Sequence, residues 1–267
     1  MRLSISHTTR YAYDQPVPYA LQQLRVTPKS GHGQTVHNWT VTVEGGQKEA
    51  SFEDQHHNIV ELISFAPGTT QIAVHCSGVV EVEENHGVIG QHGGYMPMWM
   101  FLRETDVTKA GPMVRKLVSG VDGEPGSLGW MHALSAAIHG AVAYETGRSE
   151  VGWTTEDVLS AGHGVCQDHA HVFIACCRHM GIPARYVSGY LMMNDRIEQE
   201  ATHAWAEANV DGLGWVGFDV SNGISPDTRY VRAATGLDYA EAAPVTGTRI
   251  GGSGEVLSVS IEVAQQQ

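Results

Sequence analysis

GHGVCQDHAHVFIACCRHMGIPARYVSGYL, residues 162–191, contains a helix, its stop signal and the strand that follows. Cys166, Ala170, Phe173, Ile174, Cys177 and Met180 recur at helical spacing, which predicts a helix from about Val165 to Met180 with that stripe turned inward. Gly181 and Pro183 stop it in the usual order, glycine just past the end and proline beyond. Arg185–Met192 then reads as a strand. The helix begins just after Gly162 and Gly164, so Cys166 falls in its first turn. There the unpaired backbone N–H groups and the helix dipole favour negative charge, and a thiolate is the reactive form of cysteine. The glycines are also expected to let a substrate backbone come close. Asp168, in the same turn, is expected to complement the dipole and cap backbone donors.

Downstream, THAWAEANVDGLGWVGFDVSNG (202–223) reads as two strands, Thr202–Val210 and Gly214–Val220, around the turn signal Asp211-Gly212. A loop of Asp211, Gly212 and Leu213 sets Val210 opposite Gly214 and Trp205 opposite Asp219. His203 and Asp219 then lie on one sheet face as diagonal neighbours, roughly 7–8 Å apart between Cα atoms. A loop one residue longer or shorter would put them on opposite faces. The three residue types form a nucleophilic set: Cys166 to attack, His203 to take its proton, Asp219 to orient the imidazole and stabilise its charged form. The backbone N–H of Cys166 is the expected oxyanion donor.

The first eighty-odd residues read as β-structure, with strand patterns at Leu3–Ser6, Val36–Val43, Ile59–Phe65, Gln71–His75 and Val79–Val82. Glu84–Pro97, rich in Gly and His, reads as a loop between modules. Helical patterns follow over Thr105–Val118, interrupted by Gly111-Pro112, and over Ser127–Tyr144, with Trp130, Leu134, Ala137 or Ile138, and Ala141 on one face. Val256–Val263 alternates as a strand expected to join one of the sheets.

GVCQDHAH, GIPARYVSGYL, THAWAEA, GWVGFDVSNG and LDYAEAAPVTGT occur in the order and spacing of the bacterial transglutaminase-like superfamily, which the chain resembles. The opening SHTTRYAYDQPV, with QQLRVTP after it, resembles the N-terminal β-region of the same group. The resemblance implies an α+β fold: an antiparallel β-domain over residues 1–95, a papain-like core of helices packed on an antiparallel sheet over 96–250, and the terminal strand over 251–267. It implies that Cys166, His203 and Asp219 match the family's catalytic Cys, His and Asp. It also implies attack on an amide, peptide or isopeptide bond through a thioester acyl-enzyme, so the partner is a peptide or protein substrate. Hydrolysis of that thioester is the leading expectation. Its capture by an amine, as in a transglutaminase acting on glutamine, is the first alternative, and a non-catalytic binding module on the same fold is the second. The pattern is broken at three places: His169 where a bulky apolar residue is expected, the pair Val220-Ser221 in place of Pro-Thr, and Leu237 in place of an arginine.

Composition narrows the partners. A formal charge of −13 repels phosphate backbones and anionic lipid heads, so neither nucleic acid nor a membrane surface is an expected partner. The N-terminus lacks a signal-peptide h-region, no apolar run reaches the roughly 20 residues of a membrane span, and Cys176 and Cys177 are adjacent. A reducing cytoplasm is the expected setting. Fifteen histidines raise the question of a metal. His169 and His171 lie about 200° apart around a helix, so they face opposite sides, and no tight Cys/His spacing supplies a ligand set. No metal or other cofactor is expected. His56, His57, His86 and His92 read as solvated loop residues, and Trp153 and Trp205 as core.

Overall fold

Residues 2–17 alternate so regularly that one face of the strand, from Leu3 and Ile5 to Tyr11 and Tyr13, is buried and the other is not. The computed structural model describes residues 1–266. This strand, β1 (Arg2–Val17), is followed by β2 (Tyr19–Thr27), β3 (Gln34–Glu44), β4 (Gly46–Glu53), β5 (Ile59–Phe65) and β6 (Thr69–Val82). Gln71–His75 and Val79–Val82 are parts of the one strand β6. Next come β7 (Val88–Gly90), a 3-10 turn at Met98–Leu102, α1 (Pro112–Ser119), α2 (Leu128–Ala141), β8 (Ala143–Tyr144), α3 (Thr155–Ala161) and β9 (His163–Gly164). The second half holds α4 (Cys166–His179), β10 (Ala184–Leu191), β11 (Glu198–Gln199), β12 (His203–Val210), β13 (Gly214–Phe218), β14 (Tyr230–Gly236), α5 (Tyr239–Ala242), β15 (Val245–Ile250) and β16 (Val256–Gln265).

The result is a sheet-rich mixture of α and β. Two sheets involve the N-terminal strands, in the orders β11-β16-β1-β6-β3 and β15-β2-β5-β4. The chain's end therefore returns to its beginning: β16 runs antiparallel to β1 from Ala12↔Val256 to Leu3↔Gln265, and β15 pairs with β2. The third large sheet, β14-β10-β12-β13-β7, carries α4 against Ala204, Ala206 and Ala208, small residues that let the helix approach closely. Strand β7 lies inside the segment expected to be loop. It joins the sheet edge through Val88 and Gly90 against Val216 and Trp215.

Local signals explain the helix ends. Pro112 occupies the first helical position of α1, where its missing N–H costs nothing, so the helix starts there and not at Thr105. Ser127 caps α2 by accepting from the Trp130 N–H. At the end of α4, Gly181 takes φ +74°, its N–H reaches Arg178 O, and the Ile182 N–H reaches Cys177 O. This pair of bonds is the Schellman motif, whose left-handed residue favours glycine.

Candidate active site

Cys166 is the first residue of α4, and its side chain is half-buried at the mouth of a cleft of about 860 Å³. The two preceding glycines each have a local structural role. Gly162 closes α3 in the left-handed region, at φ +70°. A Cβ on Gly164 would lie 2.7 Å from Asp168 Cβ, so its bareness makes room for Asp168. Asp168 Oδ2 uses that room to accept the Val165 N–H at 2.8 Å, tying down the turn just before the thiol.

The hairpin register holds from Val210↔Gly214 to Ala206↔Phe218, with residues 211–213 as the loop. Beyond Phe218 the strand turns back on itself, and Asp219 and Ile224 exchange both backbone hydrogen bonds. This fold-back leaves the Asp219 carboxylate beside His203, whose Nε2–H donates to Oδ2 at 2.6 Å. Cys166 lies close enough to the ring to help hold a proton there, and the two residues line the same cleft. Cys166, His203 and Asp219 are thus brought together across 54 residues of sequence by one helix end and one hairpin.

Burial would by itself lower the His203 pKa. The hydrogen bonds to Asp219 and Cys166, and the charges behind them, outweigh it and push the value up to about 10. Asp219 is almost wholly buried, and burial alone would raise its pKa. Its bonds to His203, Asn222 and Tyr230 instead hold it below the usual carboxylate range. Oδ2 is crowded with donors: besides His203, the Asn222 Nδ2–H and the Tyr230 O–H each reach it at 2.7 Å. Tyr230 meets Trp205 edge-on, with centroids 5.4 Å apart, and Trp205 stacks against His203 at 6.2 Å. Trp205 therefore shields the imidazole while remaining a core residue. Neither Tyr230 nor Asn222 was flagged in the sequence. Asn222-Gly223 is a turn dipeptide that could have marked the fold-back, whereas Tyr230 carries no local signal.

Two of the departures from the family pattern touch each other. His169 Nε2–H donates to Val142 O at 2.9 Å, and its Nδ1 accepts from the Ser221 hydroxyl at 3.0 Å. A polar side chain buried under the site is thereby satisfied on both nitrogens. The third departure, Leu237, is buried with Met96, Phe101 and Trp215. His171 points the other way, against Tyr186, and accepts the Tyr239 N–H at 3.1 Å. Among the described residues no group of three or more His, Cys, Asp or Glu is placed to hold a metal ion. His56, read as solvated, is in fact enclosed: its Nε2 pairs with Glu241 at 2.7 Å, because α5 folds over that loop. Trp153 is half-buried against the helical core and the His163 ring.

The family model for the transglutaminase-like superfamily matches residues 115–220, an interval that contains Cys166, His203 and Asp219, and that for the bacterial transglutaminase-like N-terminal region matches residues 3–81. The chain belongs to the transglutaminase-like superfamily. An uncharacterised protein from Mycobacterium leprae is 28% identical over 292 residues, spanning 99% of both chains. An uncharacterised Mycobacterium tuberculosis protein is 37% identical over 141 residues, 49% of this chain and 45% of that one. A crystal structure of a candidate cysteine protease from Cytophaga hutchinsonii shares the fold, with TM-score 0.80 at 21% identity over 99% of this chain and 90% of that one. No helix among the described residues is long and apolar enough to cross a membrane.

Two measurements probe this transglutaminase-like site. Iodoacetamide at neutral pH is expected to label Cys166 first. Burial pushes the Cys76 thiol up to about 12 and raises those of Cys176 and Cys177 as well, and all three are shut off from solvent. Peptide mapping that found Cys76 or Cys176 alkylated before Cys166 would contradict the assignment. Tyr230→Phe removes one of three donors to Asp219 Oδ2 and leaves the packing intact. A hydrogen bond to a charged group contributes about 1.5–3 kcal/mol, so urea stability should fall by about that much, and turnover that depends on the Asp219 charge by roughly ten- to a hundredfold. Unchanged turnover and stability would mean that His203 and Asn222 alone hold the carboxylate.

Proposed function

We propose that the protein hydrolyses an amide bond of a peptide or protein through Cys166, His203 and Asp219. The observation that carries this reading is the His203–Asp219 bond of 2.6 Å beside a thiol at a helix N-terminus, opening on a cleft of about 860 Å³. The Cys166 sulfur attacks the carbonyl carbon, its proton resting on His203, and a tetrahedral oxyanion forms near the Cys166 backbone N–H. The C–N bond breaks as the imidazolium gives its proton to the departing amine, leaving a thioester. Water then attacks the thioester, His203 accepts its proton, and the acid and free thiol are released. The raised pKa of His203 favours holding the thiol's proton on the ring before acylation, and Asp219 keeps the ring's Nε2–H in place.

Acyl transfer to an amine uses the same acylation and differs only in what attacks the thioester. One experiment separates the two: mass spectrometry after incubation with a peptide library and a labelled primary amine. Cleaved or deamidated peptides are expected. Amine incorporation in their place would make the protein a transglutaminase, and no modified peptide at all would favour a binding module.

A further inference from the structure

The sheet that supports the cleft has a second face with unusual chemistry. Tyr186 and Ser188 of β10 border the cleft, so the alternating position Arg185 points to the other side. There it lies opposite Glu207 of β12. Glu207 is completely buried, and its carboxylate accepts from Arg185 Nε at 2.6 Å and from Arg232 Nε and Nη2 at 2.7 and 3.2 Å. One carboxylate thus serves two guanidinium groups.

The remaining donors are not used by the protein. The Arg185 side chain is only 9% exposed, and its guanidinium is fixed 4.1 Å above the Trp215 ring. Yet neither of its Nη groups finds a hydrogen-bond partner among the described residues, nor does Arg232 Nη1. Both arginines border a cavity of about 190 Å³ whose other wall is the N-terminal β region, including Lys29, His32 and Asn58. Lys29 is half-buried there with no ion-pair partner among the described residues. The nearest further acids are engaged elsewhere: Glu53 with His57 at 2.9 Å, and Asp54 with Arg25 at 3.3 Å. Three cations therefore face one cavity with a single buried carboxylate between them. Burial lowers the pKa of Lys29, and the two arginines lower it further against the pull of Glu53 and Asp54. Burial brings Arg185 down to about 10 despite Glu207.

The walls are rigid. Gln34 donates to Lys29 O at 2.8 Å and Arg232 O at 3.0 Å, and accepts the Arg232 N–H at 2.8 Å. Asn58 makes the equivalent pair of bonds with Thr235, at 2.7 and 2.8 Å. The Arg185 Nη groups and Arg232 Nη1 are not sealed within the protein but open on the cavity, where an acceptor can reach them. Here a preorganised fork and an ammonium are left open around a space suited to one small group, on a chain whose overall charge is −13.

We propose that this cavity binds a small dianionic oxyanion of the phosphate class, free phosphate or a phosphate monoester, held by Arg185, Arg232 and Lys29. The test is isothermal titration calorimetry on the full chain at constant ionic strength, with inorganic phosphate, glycerol phosphate and succinate as separate titrants. Inorganic phosphate is expected to bind saturably, with Kd below about 1 mM. Glycerol phosphate binding as tightly as phosphate extends the site to monoesters, and weaker binding restricts it to the free ion. Arg185→Gln would leave Glu207 short of charge and could unfold the protein, so Lys29→Ala carries the test, its ammonium being bonded to nothing that the fold needs. That variant should weaken phosphate at least tenfold while leaving the rate of Cys166 alkylation unchanged. Absence of saturable phosphate binding, tighter binding of succinate than of phosphate, or an affinity untouched by Lys29→Ala would overturn the proposal.

Discussion

Cys166→Ala is expected to abolish amide turnover in a protein that still folds. The side chain is half-exposed at the start of α4, and the turn that presents it is held by Asp168 and the Val165 N–H, not by the sulfur. Losing the thiol therefore removes the nucleophile and little packing. The other three cysteines are buried and none borders the cleft, so none can take its place. His203→Ala should come close to the same loss. It also leaves the Asp219 carboxylate buried without its cation, so this variant should be measurably less stable as well. Asp219→Asn should be milder. Its amide oxygen can occupy the Oδ2 position and keep the bonds from His203, Tyr230 and Asn222. Its NH2 then meets only the weak Asn222 N–H contact, 3.3 Å from Oδ1. What disappears is the charge that stabilises the imidazolium. Losses in such triads run from about 10³- to 10⁶-fold and are far from additive. The measurement is turnover on an amide substrate found by the library screen, with circular dichroism as the folding control. Full activity in folded Cys166→Ala would sink the proposed chemistry.

The parts of this site that were legible in the sequence are those written in local signals. The α4 stop could be read because Gly181 and Pro183 each have a conformational reason to stand where they do. The hairpin register could be read because Asp211-Gly212 fixes the turn, and the register so fixed carries from Val210↔Gly214 to Ala206↔Phe218, one pair short of Trp205 and Asp219. Other elements carry weak patterns for identifiable reasons. Strand β4, GQKEASFE, is exposed along nearly its whole length at a sheet edge, so it has no apolar alternation to display. In β2 the buried positions are Ala20, Gln22, Leu24 and Val26, and the glutamine breaks the stripe. Helix α3 was legible and overlooked: Thr154 and Asp157 form a capping box, each side chain bonded to the other's backbone N–H. Tyr230 and the cavity around Arg185 depend on residues far apart in sequence that meet only when the sheets assemble, and no periodicity encodes such a meeting.

Arg178→Met is expected to destabilise the protein strongly without touching the triad. Arg178 lies in the last turn of α4 and is 5% exposed, so its guanidinium is enclosed by protein. Nε–H donates to Phe101 O at 3.0 Å, Nη1 to the Thr108 hydroxyl at 2.9 Å, and Nη2 to Ala184 O and Leu237 O at 2.9 and 2.6 Å. One side chain thereby joins four segments: the 3-10 turn, the loop before α1, the start of β10 and the link into α5. Burial pushes its pKa down to about 10, so the charge is held at a desolvation cost that the four acceptors offset. Methionine fills much of the volume but donates nothing, and three buried carbonyls lose this donor. At about 1–3 kcal/mol for each abandoned group, with some relaxation, the loss should be about 3–5 kcal/mol. At roughly 2–4 °C per kcal/mol, the melting temperature should fall by about 10 °C. Arg178→Lys keeps the charge and should recover only part of this, because one ammonium cannot reach acceptors spread around a planar fork. Urea unfolding of the three proteins side by side is the measurement. A change below about 1 kcal/mol in the methionine variant would mean that the four segments hold together without the arginine. The effect should also reach the cleft, since Leu237 leads into Tyr239, a cleft residue whose N–H is fixed by His171 of the same helix.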